Sequence, residues 1–323
     1  MNTTIKVGGV ILDEKIAKIF EVPSVAKAFI SYFLNEDERA AILVMWDKKY
    51  KLEDLRILLK DIAVNPDILI KSAYSRAVFN KVDIDGTIYY QISNFYTRMA
   101  YFAQYEQAVW KNIPEKDRQA IDKWYVNAYA ETAKIRLKDA LDGKGLIENA
   151  YFTSLDEILN VIDHLHSDPY VVPCNCKSVA MNCEKPREVC ISTNRGINSQ
   201  WDRGHGKLLT KDAAKELIKS ANRHGLMQTF ESGMDICNCC GCCCYPIRTS
   251  KMIGAKGVWP KQQYAIVWDS TECINCGKCT VICNFGAFKW LDKKVVFNEK
   301  ACWGCTICSS NCPAKAISIK KIK

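Results

Sequence analysis

Cys273-Ile274-Asn275-Cys276-Gly277-Lys278-Cys279-Thr280-Val281-Ile282-Cys283 and Cys302-Trp303-Gly304-Cys305-Thr306-Ile307-Cys308-Ser309-Ser310-Asn311-Cys312 spell one pattern twice, C-x2-C-x2-C-x3-C, with Pro313 after the second run. The second run starts 29 residues after the first (302 − 273). This is the ligand run of two [4Fe–4S] clusters. Three closely spaced thiolates can wrap one face of a cubane. The fourth cysteine of each run lies too far along to close the same cube and supplies the other. The expected sets are Cys273, Cys276, Cys279 with Cys312, and Cys302, Cys305, Cys308 with Cys283. A zinc or disulfide knot is the competing reading, but zinc sites use two C-x2-C pairs rather than three consecutive steps.

The repeat extends beyond the cysteines. Val267-Trp268-Asp269 precedes the first run as Val296-Phe297-Asn298 precedes the second, and the apolar stretches 287–291 and 316–319 after each run read as strands. Residues 262–323 therefore resemble the bacterial two-cluster ferredoxin. The resemblance departs at Asn284, where that family usually has proline.

Eight of the 18 cysteines are used in this way; the other ten start at Cys174, and the first half of the chain has none. Cys174, Cys176, Cys183 and Cys190 supply four soft ligands around polar turns, for a cluster or a sulfur-only zinc. Cys237, Cys239, Cys240, Cys242, Cys243 and Cys244 put six thiols in eight residues. Neighbouring side chains in extended chain point to opposite faces, so these six should divide between centres or leave some thiols free. One or two additional iron–sulfur clusters, one cluster with one zinc, or a cluster of unusual shape all fit this count. Cys239-Cys240-Gly241 resembles the CCG motif of heterodisulfide-reductase-type proteins, which implies a noncubane cluster that does disulfide chemistry. Of the four histidines, only His205 in Asp202-Arg203-Gly204-His205-Gly206 is kept as a site candidate, and its preferred reading is a solvated loop residue.

Upstream, Asn35 with Glu38 makes a capping box for a helix through 40–46. Leu52, Leu55, Leu59 and Ile62 stripe a second helix, and a third starts near Pro66 and runs to about Asn80. Residues 82–90 read as a hairpin turning at Asp85-Gly86. Three helices and a hairpin, at roughly 30–92, resemble a winged-helix module. Lys71, Arg76 and Lys81 are thin provision for a groove reader, and the wing 84–90 carries no lysine or arginine. Packing or protein contact is therefore preferred over DNA. Residues 93–142 read as helical and aromatic, a core or interdomain seam; no dinucleotide, P-loop or nucleophile-elbow motif is present.

With 48% apolar residues the chain can bury an ordinary core. The formal net charge of +9 ignores the metal centres, whose thiolates and cluster offset part of it. Met1–Leu12 has neither the basic flank nor the apolar core of a leader, and no apolar run approaches a membrane span. Thiolates kept reduced for metal point to the cytoplasm of an anaerobe.

The expected architecture is α+β and multidomain: a winged-helix-like domain at 1–95, a helical connector at 96–150, a Cys-rich cluster-binding domain at 151–250, and a two-[4Fe–4S] ferredoxin domain at 260–323. Taken whole, with Ile236-Cys237-Asn238-Cys239-Cys240-Gly241-Cys242-Cys243-Cys244 as its marker, the order resembles a group of iron–sulfur proteins from anaerobes. That resemblance implies electron transfer. The reading is an electron-transfer subunit or partner of a larger oxidoreductase, passing electrons between clusters to a flavoprotein or other redox partner, with substrate chemistry on that partner. The alternatives are a redox-sensing winged-helix regulator and an oxidoreductase with an open-site cluster at 237–244.

Overall fold

The capping box forms as the sequence predicts. Asn35 Oδ1 accepts from the Glu38 amide at 2.8 Å, the Glu38 carboxylate accepts from the Asn35 amide at 2.9 Å, and the helix Glu36–Met45 starts there. The computed structural model describes residues 13–145, 147, 149–230 and 235–322; the Met1–Leu12 stretch read for a leader lies outside them. The chain divides into two units: Met1–Tyr125 with Arg195–His205, and Val126–Asn194 with Gly206–Lys323.

In the first unit the helices Leu52–Leu59 and Pro66–Ser75 follow, then an antiparallel hairpin of Phe79–Ile84 and Thr87–Ile92. Asp85 and Gly86 sit at φ 51° and 78°, the left-handed pair that a tight hairpin turn needs. The third helix ends at Ser75, earlier than the expected 80. Ala77 turns left-handed at φ 59°, and Phe79 and Asn80 pair with Ile92 and Gln91 instead of extending the helix.

Phe33, Phe79, Phe95 and Phe102 fill the core. Arg98 is also fully buried, donating to the Phe33 carbonyl at 2.9 Å, the Arg76 carbonyl at 3.1 Å and the Glu106 carboxylate at 2.6 Å. Arg76 in turn pairs with buried Glu38 at 3.0 Å and with Glu106 at 3.2 Å. The aromatic stretch forms the helices Phe95–Tyr105, Gln107–Asn112 and Glu115–Leu141. Its Tyr96 and Tyr125 stack with centroids 4.2 Å apart.

The segment Arg195–His205 is held by this same unit. Asp202 accepts from Tyr74 and, at 3.2 Å, from Lys81. Buried Arg203 donates to the Phe79 carbonyl at 2.8 Å. His205 stacks on Tyr105 at 3.7 Å and its Nε2 lies 2.8 Å from the Ser75 carbonyl. His205 is thus a half-buried docking residue, not a solvated loop histidine, and it stands in the unit that holds no cysteine.

The second unit is built from two three-stranded antiparallel sheets and the ferredoxin segment. One sheet orders Tyr151–Phe152, Met227–Phe230 and Cys237–Cys239; the other orders Glu188–Ser192, Tyr170–Pro173 and Lys207–Leu208. A bridge between Ile191 and Ile236 joins them. Ser154 caps Leu155–Asp163 through a capping box with Glu157, and Thr210 caps Lys211–Arg223. In the ferredoxin segment Tyr264–Trp268 pairs with Ile317–Lys321, and Phe288–Leu291 with Lys294–Phe297. Each cysteine run enters a short helix, Lys278–Ile282 or Ile307–Ser310. Among the described residues no helix is long and apolar enough to cross a membrane.

Candidate metal centres

The two cysteine runs interleave. Cys273, Cys276, Cys279 and Cys312 line one cavity, with Ile274, Val295 and Ile317 as part of its apolar wall. Cys283, Cys302, Cys305 and Cys308 line another, against Ile266, Phe285 and Phe288. Backbone amides point at sulfur: Ala287 N–H donates to Cys283 at 3.2 Å and Gly304 N–H to Cys302 at 3.3 Å. Burial pushes the Cys279 thiol up to about 11 and Cys305 up to about 12, and raises Cys308 further. Such thiols give up their protons to a metal rather than to water. Four soft sulfurs around a small apolar space, with N–H donors aimed at them, fit a [4Fe–4S] cubane in each cavity.

The ten upstream cysteines fall into two groups, and the division cuts across the sequence. Cys183, Cys240, Cys242 and Cys243 bring their sulfurs within 4.8 Å of one another. The other six form a closed ring of neighbouring thiols: Cys174 to Cys176, to Cys244, to Cys239, to Cys237, to Cys190, and back to Cys174. The set Cys174, Cys176, Cys183 and Cys190, read from sequence as four ligands for a cluster or a sulfur-only zinc, is therefore not brought to one point. The physical reason is local. The helix Asn175–Ala180, which Cys174 caps, ends in left-handed Met181 at φ 51°, and this turns Cys183 away to the other group. Cys190 instead lies on Glu188–Ser192, where the Ile191–Ile236 bridge sets it beside Cys237.

The six cysteines of 237–244 divide three and three for the reason of side-chain alternation. Cys237 and Cys239 share one face of their strand, with Asn238 on the other; Cys244 rejoins them as the N-cap of Tyr245–Ile253. Within the ring, contact with Cys176 and Cys190 holds the Cys174 thiol well below its ordinary range. Cys237 and Cys244 do the same for Cys239. The four flanking thiols are raised, Cys176, Cys190 and Cys237 chiefly by contact with neighbouring ring thiols and Cys244 chiefly by burial.

Two residues of this region escape sequence reasoning. Lys177 is buried, 2% exposed, and its Nζ donates to the Asn238 carbonyl at 2.8 Å. Burial alone would lower its pKa, but charge at Cys174, Cys190, Cys239 and Cys240 raises it, so it stays an ammonium among thiolates. A lysine directly after Cys176 was the available signal. Asn284 is the second. Its Oδ1 accepts from the Gly241 amide at 3.0 Å and from Lys185 at 3.3 Å, and its Nδ2 donates to the Gly225 carbonyl at 3.0 Å. A proline in that place could make none of these bonds. The same junction is apolar elsewhere: Cys239, Cys244 and Cys305 share a core with Phe152, Ile282, Ile307 and Trp303.

The model of the 4Fe-4S dicluster domain family matches residues 265–319. An uncharacterized ferredoxin of Methanocaldococcus jannaschii is 34% identical over 62 residues, 18% of this chain and 80% of that protein. Pyruvate synthase subunit PorD of Methanothermobacter marburgensis is 36% identical over 55 residues, 17% of this chain and 64% of that one. No solved structure matches the chain. With its two interleaved four-cysteine cavities inside the matched segment, the chain belongs, through residues 265–319, to the 4Fe-4S dicluster ferredoxin family.

Proposed function

We propose that this chain is an electron-transfer subunit or partner of a larger oxidoreductase. The observation that carries the reading is the pair of apolar cavities, each lined by four cysteines drawn from both runs. A cubane held there takes up and gives back one electron at a time. The protein's own residues fix its place, exclude water and donate backbone N–H groups to the sulfurs, which sets how readily charge is accepted. The likeness of the segment to a pyruvate synthase subunit supports an oxidoreductase as the partner, and the absence of a dinucleotide or flavin motif supports substrate chemistry lying on that partner. The six-thiol ring around Lys177 is proposed to hold one further iron–sulfur cluster, and the setting is the reducing cytoplasm.

The winged-helix reading of 30–92 remains a proposal about scaffold, and the basic residues do not favour DNA. Arg76 is paired with Glu38 and Glu106, and Lys81 with Asp202. Of the three basic residues that a groove reader would offer, Lys71 is exposed on Pro66–Ser75. Anaerobic purification with iron and sulfide analysis, followed by reductive titration, tests the function. At least eight irons and eight sulfides per chain, about four of each per cubane, are expected to be reduced reversibly and reoxidised by a redox protein. Protein without acid-labile sulfide would overturn the reading.

A further inference from the structure

We infer that Cys183, Cys240, Cys242 and Cys243 form a closed tetrathiolate site for a single thiophilic divalent cation, separate from the iron–sulfur centres. The spacing carries the argument. Cys183 Sγ lies 3.7 Å from Cys243 and 3.9 Å from Cys240, and Cys242 lies 3.8 Å from Cys243. Four sulfurs at about 2.3 Å from one tetrahedral ion stand about 3.8 Å apart, the edge being about 1.63 times the bond. A cubane interposes four irons, so its thiolates must stand wider. The same chain supplies the comparison. Among the described residues, no other set of three or more cysteine, histidine or acidic side chains converges so tightly, and this includes both ferredoxin cavities and the six-thiol ring.

The local chain is shaped for this. Gly241 separates Cys240 from Cys242 and has no room for a side chain: a Cβ there would stand 2.5 Å from the Asn284 carbonyl oxygen. The turn is held from both sides, its amide donating to Asn284 at 3.0 Å and its carbonyl accepting from Lys251 at 3.1 Å. Asn182, next to Cys183, donates to the Cys242 carbonyl at 3.0 Å, which ties the two segments of the site together. Four protein ligands leave no open position, the arrangement of a structural rather than a reacting ion. The ion clamps the 181–185 turn onto 240–243, beside the ring that shares Cys240's neighbours in the core.

Zinc and ferrous iron both suit four thiolates, and element analysis separates them. In anaerobically purified full-length protein, the expected result is one zinc per chain, or one iron in excess of labile sulfide. X-ray absorption at that element's edge should give four sulfurs at about 2.3 Å. Cys242→Ser and Cys183→Ser should each lose this one ion while labile sulfide per chain is unchanged. Iron equal to sulfide with no zinc would overturn the proposal, as would a Cys242→Ser protein that loses about four irons together with four sulfides. If the variants do not fold, the wild-type stoichiometry decides alone. The iron–sulfur reading fails by a different sign, missing sulfide, so the two outcomes are distinct.

Discussion

The Gly241 amide donates to the Asn284 side chain at 3.0 Å, joining the Cys240–Cys243 turn to the residue that follows Cys283. The position at which this chain leaves the ferredoxin pattern is thus one at which its two cysteine regions are bonded. Asn284→Pro restores the family residue but removes acceptors for Gly241 and Lys185 and the donor to Gly225. We expect a loss of about 1–3 kcal/mol from the groups left unpaired. Denaturant unfolding measures it; an unchanged midpoint would show the junction to be dispensable. Gly241→Ala should cost a similar amount, about 1–3 kcal/mol, through overpacking against the Asn284 backbone.

Cys312 lines the cavity of Cys273, Cys276 and Cys279, not that of its own run. Cys312→Ser should therefore alter the spectroscopic signature of the first centre and spare the one lined by Cys302, Cys305 and Cys308. Cys283→Ser should do the reverse. Magnetic resonance of the reduced variants distinguishes the two signals, and a change confined to the mutated run's own centre would refute the crossing.

Lys177→Met removes the buried ammonium that faces Cys174, Cys190, Cys239 and Cys240. Breaking a buried charge set by deleting one partner costs about 3–5 kcal/mol. The expected outcome is a protein that loses metal from the six-thiol ring while keeping the two ferredoxin centres. Iron per chain, measured before and after mild chelation, reads this directly; retention equal to wild type counts against a charge role for Lys177.

His205 gives a pH signature of the first unit. Burial, opposed by its bond to the Ser75 carbonyl and assisted by nearby Arg203, lowers its pKa below 6.5. The folded state then binds the proton less well than the unfolded chain. Its contribution is fully present above about pH 6.5 and is lost as pH falls through the depressed folded value. His205→Gln should flatten the fall in thermal midpoint between neutral and mildly acid pH. An identical slope in the variant would exclude His205 as the source.

Duplex DNA should not be bound in a sequence-selective, salt-sensitive way by the full chain at physiological salt. The ion pairs of Arg76 and Lys81 leave too few free charges on the Pro66–Ser75 side for the phosphate contacts that such binding requires. A gel-shift or anisotropy titration across salt concentrations checks it, and a steep salt slope with a preferred sequence would revive the regulator.

The ferredoxin segment was legible because its chemistry is written in spacing: thiolates every third residue fit a cubane whatever surrounds them. The capping box at Asn35 was legible because capping is settled within four residues. The partition of the other ten cysteines was not. It depends on the left-handed turn at Met181 and on a strand bridge between Ile191 and Ile236, and long-range pairing of that kind has no local signal. The division of 237–244 was half legible: alternation requires two faces, but it does not say which distant cysteines wait on each. Asn284 was seen only as a missing proline, since the partners that join it to the other region lie 43, 59 and 99 residues away.

The loop Arg195–His205 has a consequence for how such a chain is made and inherited. Residues 13–125 leave the ribosome without Asp202, Arg203 and His205, which the first unit needs for Tyr74, Phe79 and Tyr105. That unit completes itself only after seventy or so residues of the next one have been synthesised, roughly the span from 126 to 194. A gene break near residue 150 would deliver a half with a missing piece, not a transferable cassette. The helical unit and the cysteine-rich strands are thus expected to be gained, lost and folded together.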